Sequence, residues 1–354
     1  MRAMRALLMG WLLLLGQSAY CQTSYPERAL KLVVPFPATG SPDIYGTQRT
    51  TKLVKVMQAL SPPSLTDNVA MEVAQSLATL LGQPVDFDRH PRGKTVAGTR
   101  HAALARPDGH TLLFAGNPTI TIFPSLYRRL PFDPRRDLVP VAALARLPIV
   151  LITASDDPAR TVRQVIERAR FIPGQVNYAA VGDGSTSHLA GELFRSTVGI
   201  EIVNVNYNGS NSAINAVVTR NVEFGFVPLA GVLPFVEGGK VRVIAVASAQ
   251  RHPAVPKVPT IDESGLPDFE ASGWFGVFAP ARTSAAIVSL LNYEINRVLA
   301  EEALQRSLHR QGLVPAPGTA EEFRALIDTD SARWGRLVKT AIINRYTGAS
   351  GNGK

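Results

Sequence analysis

The fold is decided by one stretch near the middle of the chain, which reads VGDGSTSHLAGELF at residues 181–194. It starts as a glycine-rich turn behind an apolar run that is typical of a buried strand. It then becomes helical, because Leu189, Leu193 and Phe194 recur on one face. Ser185 is a candidate N-cap for this helix. The pattern predicts a strand, a tight turn and a helix, which is the repeating unit of an α/β fold.

The start of this helix is suited to binding an anion. The first N–H groups of a helix have no partner within it, and the helix dipole places its positive end there. Ser185, Thr186 and Ser187 add hydroxyl donors. In an open α/β sheet such turns lie beyond the carboxyl ends of strands, where ligands bind. An ordinary capped connection between strand and helix explains the same residues, and this alternative stays open.

A serine hydrolase is a second alternative for the same stretch. Ser185 and His188 are close enough on one helix for their side chains to meet. The stretch contains neither the G-x-S-x-G elbow of such enzymes nor an acid nearby to orient the histidine. The sequence therefore favours a binding role over a hydrolase.

Length and composition indicate a globular α/β protein with room for two domains. The chain has 354 residues, of which 45% are hydrophobic, and it contains 28 glycines and 26 prolines. Its formal charge of +9 is spread out, without the interleaved aromatic residues of a nucleic-acid groove. Its six histidines form no H-E-x-x-H pattern or close pair. We therefore expect anionic solutes, no nucleic-acid partner, no metal site and no cofactor.

The first residues have the layout of a secretory signal peptide. Arg2 and Arg5 precede an almost wholly apolar run at residues 6–15, and a short segment of small and polar residues follows. The apolar run is too short for a stable bilayer span. We expect residues 1–21 to be removed on export to the periplasm. The alternative is a lipoprotein acylated on Cys21, the single cysteine.

Three further strands end in polar loops of small residues. These strand and loop pairs cover residues 30–41, 111–119 and 202–210. A polar loop at the carboxyl end of a strand is where α/β sheets bind their ligands. The chain therefore predicts several ligand-side loops in addition to the central one.

The order of strands and helices predicts two α/β units joined by two crossings. Short apolar runs flank residues 146–148, and we interpret them as the first crossing. An aromatic, glycine-rich segment at residues 268–276 suits the return. We therefore expect a first lobe from residues 22–141 and 272–354, and a second lobe from residues 142–271.

A series of short phrases runs in a fixed order through almost the whole chain. They are YP at 25–26, VPFPA at 34–38, PDGHTLL at 107–113, PSLY at 124–127, LPFDP at 130–134, the central stretch at 182–194, YNGS at 207–210, GGKVR at 238–242, VPT at 258–260, GLP at 265–267, WFG at 274–276 and FAP at 278–280. The series resembles the substrate-binding proteins of tripartite tricarboxylate transporters, the Bug or TctC-like family. The resemblance is collinear from about Tyr25 to Val338.

The resemblance implies a type II periplasmic binding-protein fold, with two α/β lobes around a ligand cleft. It implies an exported receptor that is not an enzyme. The receptor holds a small carboxylate (a di- or tricarboxylate, an amino acid or an aromatic acid) and delivers it to a membrane permease, with monomer as the default state. The candidate ligand-binding residues that it implies are Pro37, Ala38, Thr39, Gly40, Ser41, Asn117, Thr119, Gly184, Ser185, Thr186, His188 and Tyr207. None is Arg or Lys, which favours recognition by dipoles and hydroxyls over a fixed ion pair.

Three departures from the family pattern concern the ligand and not the fold. An extra segment lies between residues 41 and 66, so either Asp43 or Asp67 can be the acidic residue that follows the first loop. The glycine-rich turn after the second strand reads RGKT at residues 92–95, and the usual Asp-Asn is replaced at residues 227–228. These departures leave open a ligand-less sensor or partner protein of the same fold.

Overall fold

The structure, a computed structural model, describes residues 25–36, 64–90 and 95–342. The predicted signal peptide, the first ligand loop and most of the extra segment lie outside these residues. In the described part, no helix is both long enough and apolar enough to cross a membrane. The described strands are Leu30–Val34 (β1), Val85–Arg89 (β2), Thr111–Gly116 (β3), Leu138–Leu147 (β4), Ile149–Ala154 (β5), Val176–Val181 (β6), Ile202–Tyr207 (β7), Phe224–Pro228 (β8), Val241–Val246 (β9), Gly273–Pro280 (β10) and Val314–Pro315 (β11).

A helix or a helical turn follows most of these strands, as the sequence pattern predicts. The helices of the described residues are Leu65–Leu81 (α1), Val96–Ala103 (α2), Phe123–Leu126 (α3), Pro134–Asp137 (α4), Val162–Phe171 (α5), Thr186–Val198 (α6), Ser210–Val218 (α7), Leu229–Glu237 (α8), Ala285–Ala300 (α9), Glu302–Arg310 (α10) and Ala320–Leu337 (α11). Two π-helical turns, Pro118–Ile122 and Val338–Ile342, precede α3 and follow α11.

The strands form two sheets, and each sheet with its helices is one lobe. The first lobe has the strand order β11-β4-β10-β3-β1-β2, and the second has β7-β6-β8-β5-β9. Strands β2 and β3 each run parallel to β1, and β7 and β8 each run parallel to β6. The carboxyl ends of these parallel strands therefore lie at a common edge of each sheet. The predicted α/β class is confirmed.

The chain passes from the first sheet to the second at Pro148. Strand β4 pairs with β10 as far as Leu147, and β5 begins at Ile149 in the second sheet. The boundary drawn at residues 141/142 therefore falls inside β4, because the apolar run of that strand continues past this point without a turn residue. The return crossing ends where β10 begins at Gly273.

Side-chain caps set the starts of the helices. Ser185 caps α6 and Thr161 caps α5, and each hydroxyl accepts from the N–H three residues later. Thr319 and Glu322 form a capping box at the start of α11. Ser284 is the N-cap of α9, and its hydroxyl accepts from the N–H of Ile287.

Helix α11 packs on both lobes. Near its start, Phe323 meets Trp274 of β10 edge-on, with ring centroids 5.1 Å apart. The Trp274 indole N–H donates to Asp330 Oδ2 at 2.6 Å. Further along the helix, Trp334 is buried within the apolar core of the second lobe. This helix therefore helps to set the orientation of the two lobes and of the site between them.

Candidate ligand-binding site

The two lobes meet at the carboxyl ends of β3 and β6. Asn117 follows β3 directly, and its residue surface is only 1% exposed. Thr186 is the first residue of α6, and its hydroxyl donates to Asn117 Oδ1 across 3.0 Å. The hydrogen bond joins two predicted site residues, one from each lobe. Because α/β sheets bind ligands at the carboxyl ends of parallel strands, this contact locates the candidate site.

The turn before α6 depends on glycines in the left-handed region. Gly182 and Gly184 have φ angles of 76° and 72°, which residues with a Cβ atom disfavour. A Cβ atom on Gly184 would lie 2.5 Å from Leu126 Cδ2 of α3. Glycine at position 184 therefore lets this turn of the second lobe approach the first lobe directly.

Ser185 and His188 stabilise the same turn. Ser185 Oγ accepts from the backbone N–H of His188 at 3.1 Å, and His188 Nδ1 accepts from the backbone N–H of Gly184 at 3.2 Å. Ser185 Oγ and His188 Nδ1 are thus both engaged with backbone N–H groups of the turn. These contacts favour a capping role for both side chains over a nucleophile and base pair.

One buried donor at the site has no hydrogen-bond partner among the described residues. It is Nδ2 of Asn117, whose Oδ1 accepts from Thr186. A buried donor without a partner costs about 1–3 kcal/mol. The N–H groups of Thr186 and Ser187 lie in the first turn of α6, where no helical carbonyl precedes them. Together these groups form a neutral set of donors that suits a carboxylate oxygen.

Two other predicted residues lie at the edge of this contact. Thr119 is buried, and its hydroxyl forms a hydrogen bond with the hydroxyl of Thr95, the last residue of the RGKT turn. Tyr207 ends β7, pairs in parallel register with Val181, and packs against the second-lobe core. The remaining candidates, Pro37, Ala38, Thr39, Gly40 and Ser41, lie outside the described residues.

The three hydroxyl groups predicted as anion donors all have hydrogen-bond partners within the protein. Ser185 Oγ caps the helix, and Thr186 Oγ1 is engaged with the first lobe. Ser187 Oγ donates to the carbonyl oxygen of Phe226 and accepts from the N–H of Val181 at 3.0 Å. These hydroxyls hold α6 against β6, β8 and the other lobe. Backbone N–H groups, the Asn117 amide and the O–H of Ser185, whose oxygen only accepts, are therefore the donors left for a ligand.

Asp67, one of two candidates for an acidic site residue, has a structural role. It is fully buried at the start of α1, and its carboxylate accepts from the N–H of Ser64 at 3.1 Å. The same carboxylate lies 3.0 Å from the guanidinium of Arg89. The cap and the ion pair explain why this residue is buried. Asp43, the other candidate, lies outside the described residues.

A cavity of about 380 Å³ opens between the two lobes. Its walls come from the starts of α1 and α7, the segment after β8 and the end of α10. Because β8 runs parallel to β6, the cavity lies at the same edge of the second sheet as the start of α6. The lining residues are Leu65, Asn68, Ser210, Pro228, Ala230, Gly231, Arg310 and Gln311. Arg310 supplies a cationic side chain that no sequence pattern indicated.

The glycine turn also carries the negative charge of Asp183, which affects the pKa of Tyr127 in the first lobe. Asp183 is exposed, and its carboxylate accepts from the side-chain amide of Asn206. Burial raises the pKa of Tyr127, and the charge of Asp183 raises it further. The Tyr127 phenol therefore remains neutral and adds no second negative charge beside the turn.

Two α/β lobes with ligand-side turns that meet at one edge define a binding protein of the periplasmic type. Residues 69–343 match the family described as "Tripartite tricarboxylate transporter family receptor". Protein BugT of Bordetella pertussis is 31% identical over 317 residues, which is 89% of this chain and 90% of BugT. The chain belongs to the tripartite tricarboxylate transporter receptor family. The predicted resemblance to Bug and TctC proteins is confirmed.

Two solved structures are similar to this chain in both fold and sequence. A Rhodopseudomonas palustris protein solved with adipate is 30% identical, with a TM-score of 0.72, and the match covers 90% of this chain and 98% of that one. MatC from Rhodopseudomonas palustris with bound malate is 27% identical, with a TM-score of 0.70, over 89% of this chain and 100% of MatC. These similarities confirm the predicted binding-protein fold.

Proposed function

We propose that this chain is a periplasmic receptor that captures a small carboxylate between its lobes and delivers it to the permease of a tripartite transporter. The observation that carries the proposal is the buried Asn117 Nδ2, a donor without a partner among the described residues, beside the start of α6. A carboxylate oxygen is the acceptor that both groups suit. The family membership supports the receptor role, and the two solved relatives contain dicarboxylates.

The second carboxylate of such a ligand would need its own partner. Arg310 lines the cavity between the lobes, and a guanidinium pairs well with a carboxylate. The volume of about 380 Å³ falls within the range of small-molecule sites. These features favour a dicarboxylate over a monocarboxylate.

Affinity in this account arises from closure of the lobes on the ligand. The Thr186 to Asn117 hydrogen bond and the close approach of Gly184 to Leu126 both require the lobes to be together. A ligand that adds contacts only in this arrangement shifts the population toward it. The permease would then recognise the closed form.

We further infer that the receptor reaches the periplasm through a cleaved signal peptide at residues 1–21. The charged start and the short apolar run support this route. Acylation of Cys21 would instead leave the receptor tethered to the membrane. Mass spectrometry of the protein recovered from the periplasm distinguishes a chain cleaved after Cys21 from one that carries lipid.

A thermal-shift screen tests the receptor proposal. The protein is screened against adipate, malate, tricarboxylates, monocarboxylates, amino acids and aromatic acids. A ligand at about a hundred times its dissociation constant stabilises the fold by about 2.7 kcal/mol, which corresponds to several degrees in Tm. The proposal predicts such a shift for at least one acid and none for the matching uncharged amide.

Two other outcomes would point to the alternatives. A folded protein with no shift in any ligand class would contradict the receptor proposal and favour a ligand-less partner protein of the same fold. Turnover of a chromogenic ester that is lost in Ser185→Ala would favour the hydrolase. The contacts of Ser185 and His188 predict no such turnover.

A further inference from the structure

Three potential metal ligands, none of them a predicted site residue, meet at β2, the edge strand of the first sheet. Asp88 lies in β2, His90 follows that strand, and His101 lies in the last turn of α2. One donor atom of each residue lies within 4.8 Å of the others. The sequence predicted no metal site, because the two histidines are separated by a loop and most of a helix. The fold brings them together.

The chain geometry accounts for this convergence. Asp88 and His90 are two residues apart in extended backbone, so their side chains leave the same face. A Cβ atom on Gly98 would lie 2.8 Å from His90 Cβ and 2.7 Å from Pro35 Cβ. The absence of a side chain at Gly98 therefore allows α2 to pack directly on His90. His101, three residues later, projects from the same face of that helix.

The two imidazole rings and the carboxylate are in direct contact. The His90 and His101 rings stack with centroids 4.4 Å apart and an interplanar angle of 24°. His90 Nε2 lies 3.0 Å from Asp88 Oδ1. The geometry of this approach is not that of a hydrogen bond, so the buried Nε2 atom has no hydrogen-bond partner among the described residues. An imidazole nitrogen and a carboxylate oxygen at this distance are two metal-ligating atoms side by side.

From this arrangement we propose a divalent transition-metal site formed by Asp88, His90 and His101, for which Zn²⁺ is the probe. Two imidazoles and one carboxylate match the ligands of zinc sites that keep a fourth position for water. Donor atoms around tetrahedral zinc are about 3.3 Å apart, close to the observed spacing of Asp88 and His90. Rotation of the exposed His101 ring brings in the third ligand. Hard cations such as Mg²⁺ prefer oxygen ligands and are not expected to bind.

Isothermal titration calorimetry with ZnCl₂ tests this proposal on tag-free protein that has been treated with a chelator. We expect one zinc ion per chain for the wild type, and at least tenfold weaker binding for His90→Asn and for His101→Asn. His309→Asn is the matched control, because His309 is also an exposed histidine in the last turn of a helix. Its zinc affinity is expected to equal that of the wild type.

A second readout separates metal binding from damage to the fold. Zinc is expected to raise the Tm of the wild type and of His309→Asn, and MgCl₂ is expected to leave it unchanged. The exposed His101→Asn is expected to keep the metal-free Tm of the wild type while it loses the zinc-dependent rise. A wild type that binds no zinc, or a zinc affinity that is unchanged in both His90→Asn and His101→Asn, would overturn the proposal.

Discussion

Thr186 of the second lobe donates a hydrogen bond to Asn117 Oδ1 of the first lobe across 3.0 Å, and both residues are buried. The bond fixes the orientation of the Asn117 amide, because only its oxygen can accept from the hydroxyl. It therefore leaves Nδ2 as the group without a partner among the described residues. One contact thus joins the lobes and presents a donor to the ligand.

Removal of the Thr186 hydroxyl is expected to weaken the contact between the lobes and to release the Asn117 amide from its fixed orientation. Thr186→Val keeps the shape of the side chain but leaves Asn117 Oδ1 without its donor, so the free energy of unfolding should fall by about 1–2 kcal/mol. Thr186→Ser retains the hydroxyl and should lose less. Chemical denaturation measures both variants. Equal stability of the valine variant and the wild type would show that the bond contributes nothing to the contact between lobes.

Gly184→Ala is expected to lower the free energy of unfolding more than Gly199→Ala does. Gly199 has a φ of 63°, and a Cβ atom there would have nothing within 4 Å, so Gly199→Ala should cost only the left-handed conformation, about 1 kcal/mol. Gly184→Ala adds the clash with Leu126, for an expected loss of about 2–3 kcal/mol. The two variants are compared by urea denaturation. Equal losses would mean that Leu126 moves aside freely.

Asp330→Asn tests how the stability of the contact between β10 and α11 depends on pH. Burial raises the pKa of Asp330, although the Trp274 hydrogen bond and the charge of Arg333 act in the opposite direction. The folded state thus holds this proton to a higher pH than the unfolded state, whose ordinary value is 3.8. The contribution of Asp330 to stability is therefore complete below pH 3.8 and is lost as the pH rises through the raised pKa.

The expected measurement is a difference in unfolding free energy between wild type and Asp330→Asn, followed against pH. The difference should be constant at the lowest pH. As the pH rises, the wild type should lose stability relative to Asp330→Asn, by at most about 1.4 kcal/mol per pH unit. Asparagine keeps an acceptor for the Trp274 indole. The lowered pKa values of other carboxyls, such as Asp108 and Asp137, are common to both proteins and cancel. A difference that does not change with pH would contradict this account.

Arg89→Ala is expected to destabilise the start of α1. The substitution leaves the fully buried Asp67 carboxylate without its cation, and removal of one partner of a buried pair costs about 3–5 kcal/mol. Arg89 is one-third exposed, which screens the pair, so we expect about 2 kcal/mol. The exposed pair of Arg28 and Asp108 is the control, and Arg28→Ala should cost less than about 1 kcal/mol. Thermal unfolding that ranks the two variants equally would contradict this reasoning.

Local features of the site were predictable from the sequence, and contacts between distant segments were not. The glycine turn, the Ser185 cap and the helix of the central stretch depend on neighbouring residues, so the pattern of residues 181–194 indicates all three. The Thr186 to Asn117 bond joins positions that are 69 residues apart, and only the packed lobes create it. The partners of the Thr186 and Ser187 hydroxyls were not predictable for the same reason, since both partners lie in distant segments.

The crossing between the lobes and the histidine cluster also show that local patterns were predictable from the sequence and that contacts between distant segments were not. Apolar runs around Pro148 indicated a crossing, but the length of β4 depends on its pairing with β10 across the sheet. His90 and His101 form no motif in the sequence and become neighbours because Gly98 lets α2 approach β2. The family resemblance identified the fold, since many ordered phrases cover the chain, but the partners of each side chain required the structure.

The most direct test of the central claim is a calorimetric titration of the best acid from the screen into the wild type and Asn117→Asp. Aspartate preserves the acceptor for Thr186 but replaces the free donor with a negative oxygen. Asn221→Asp, on an exposed residue outside the site, is the charge-matched control. The account predicts one bound acid per chain in the wild type and in Asn221→Asp, and at least a tenfold loss of affinity in a folded Asn117→Asp. Equal affinity in all three proteins would place the ligand elsewhere and contradict the account.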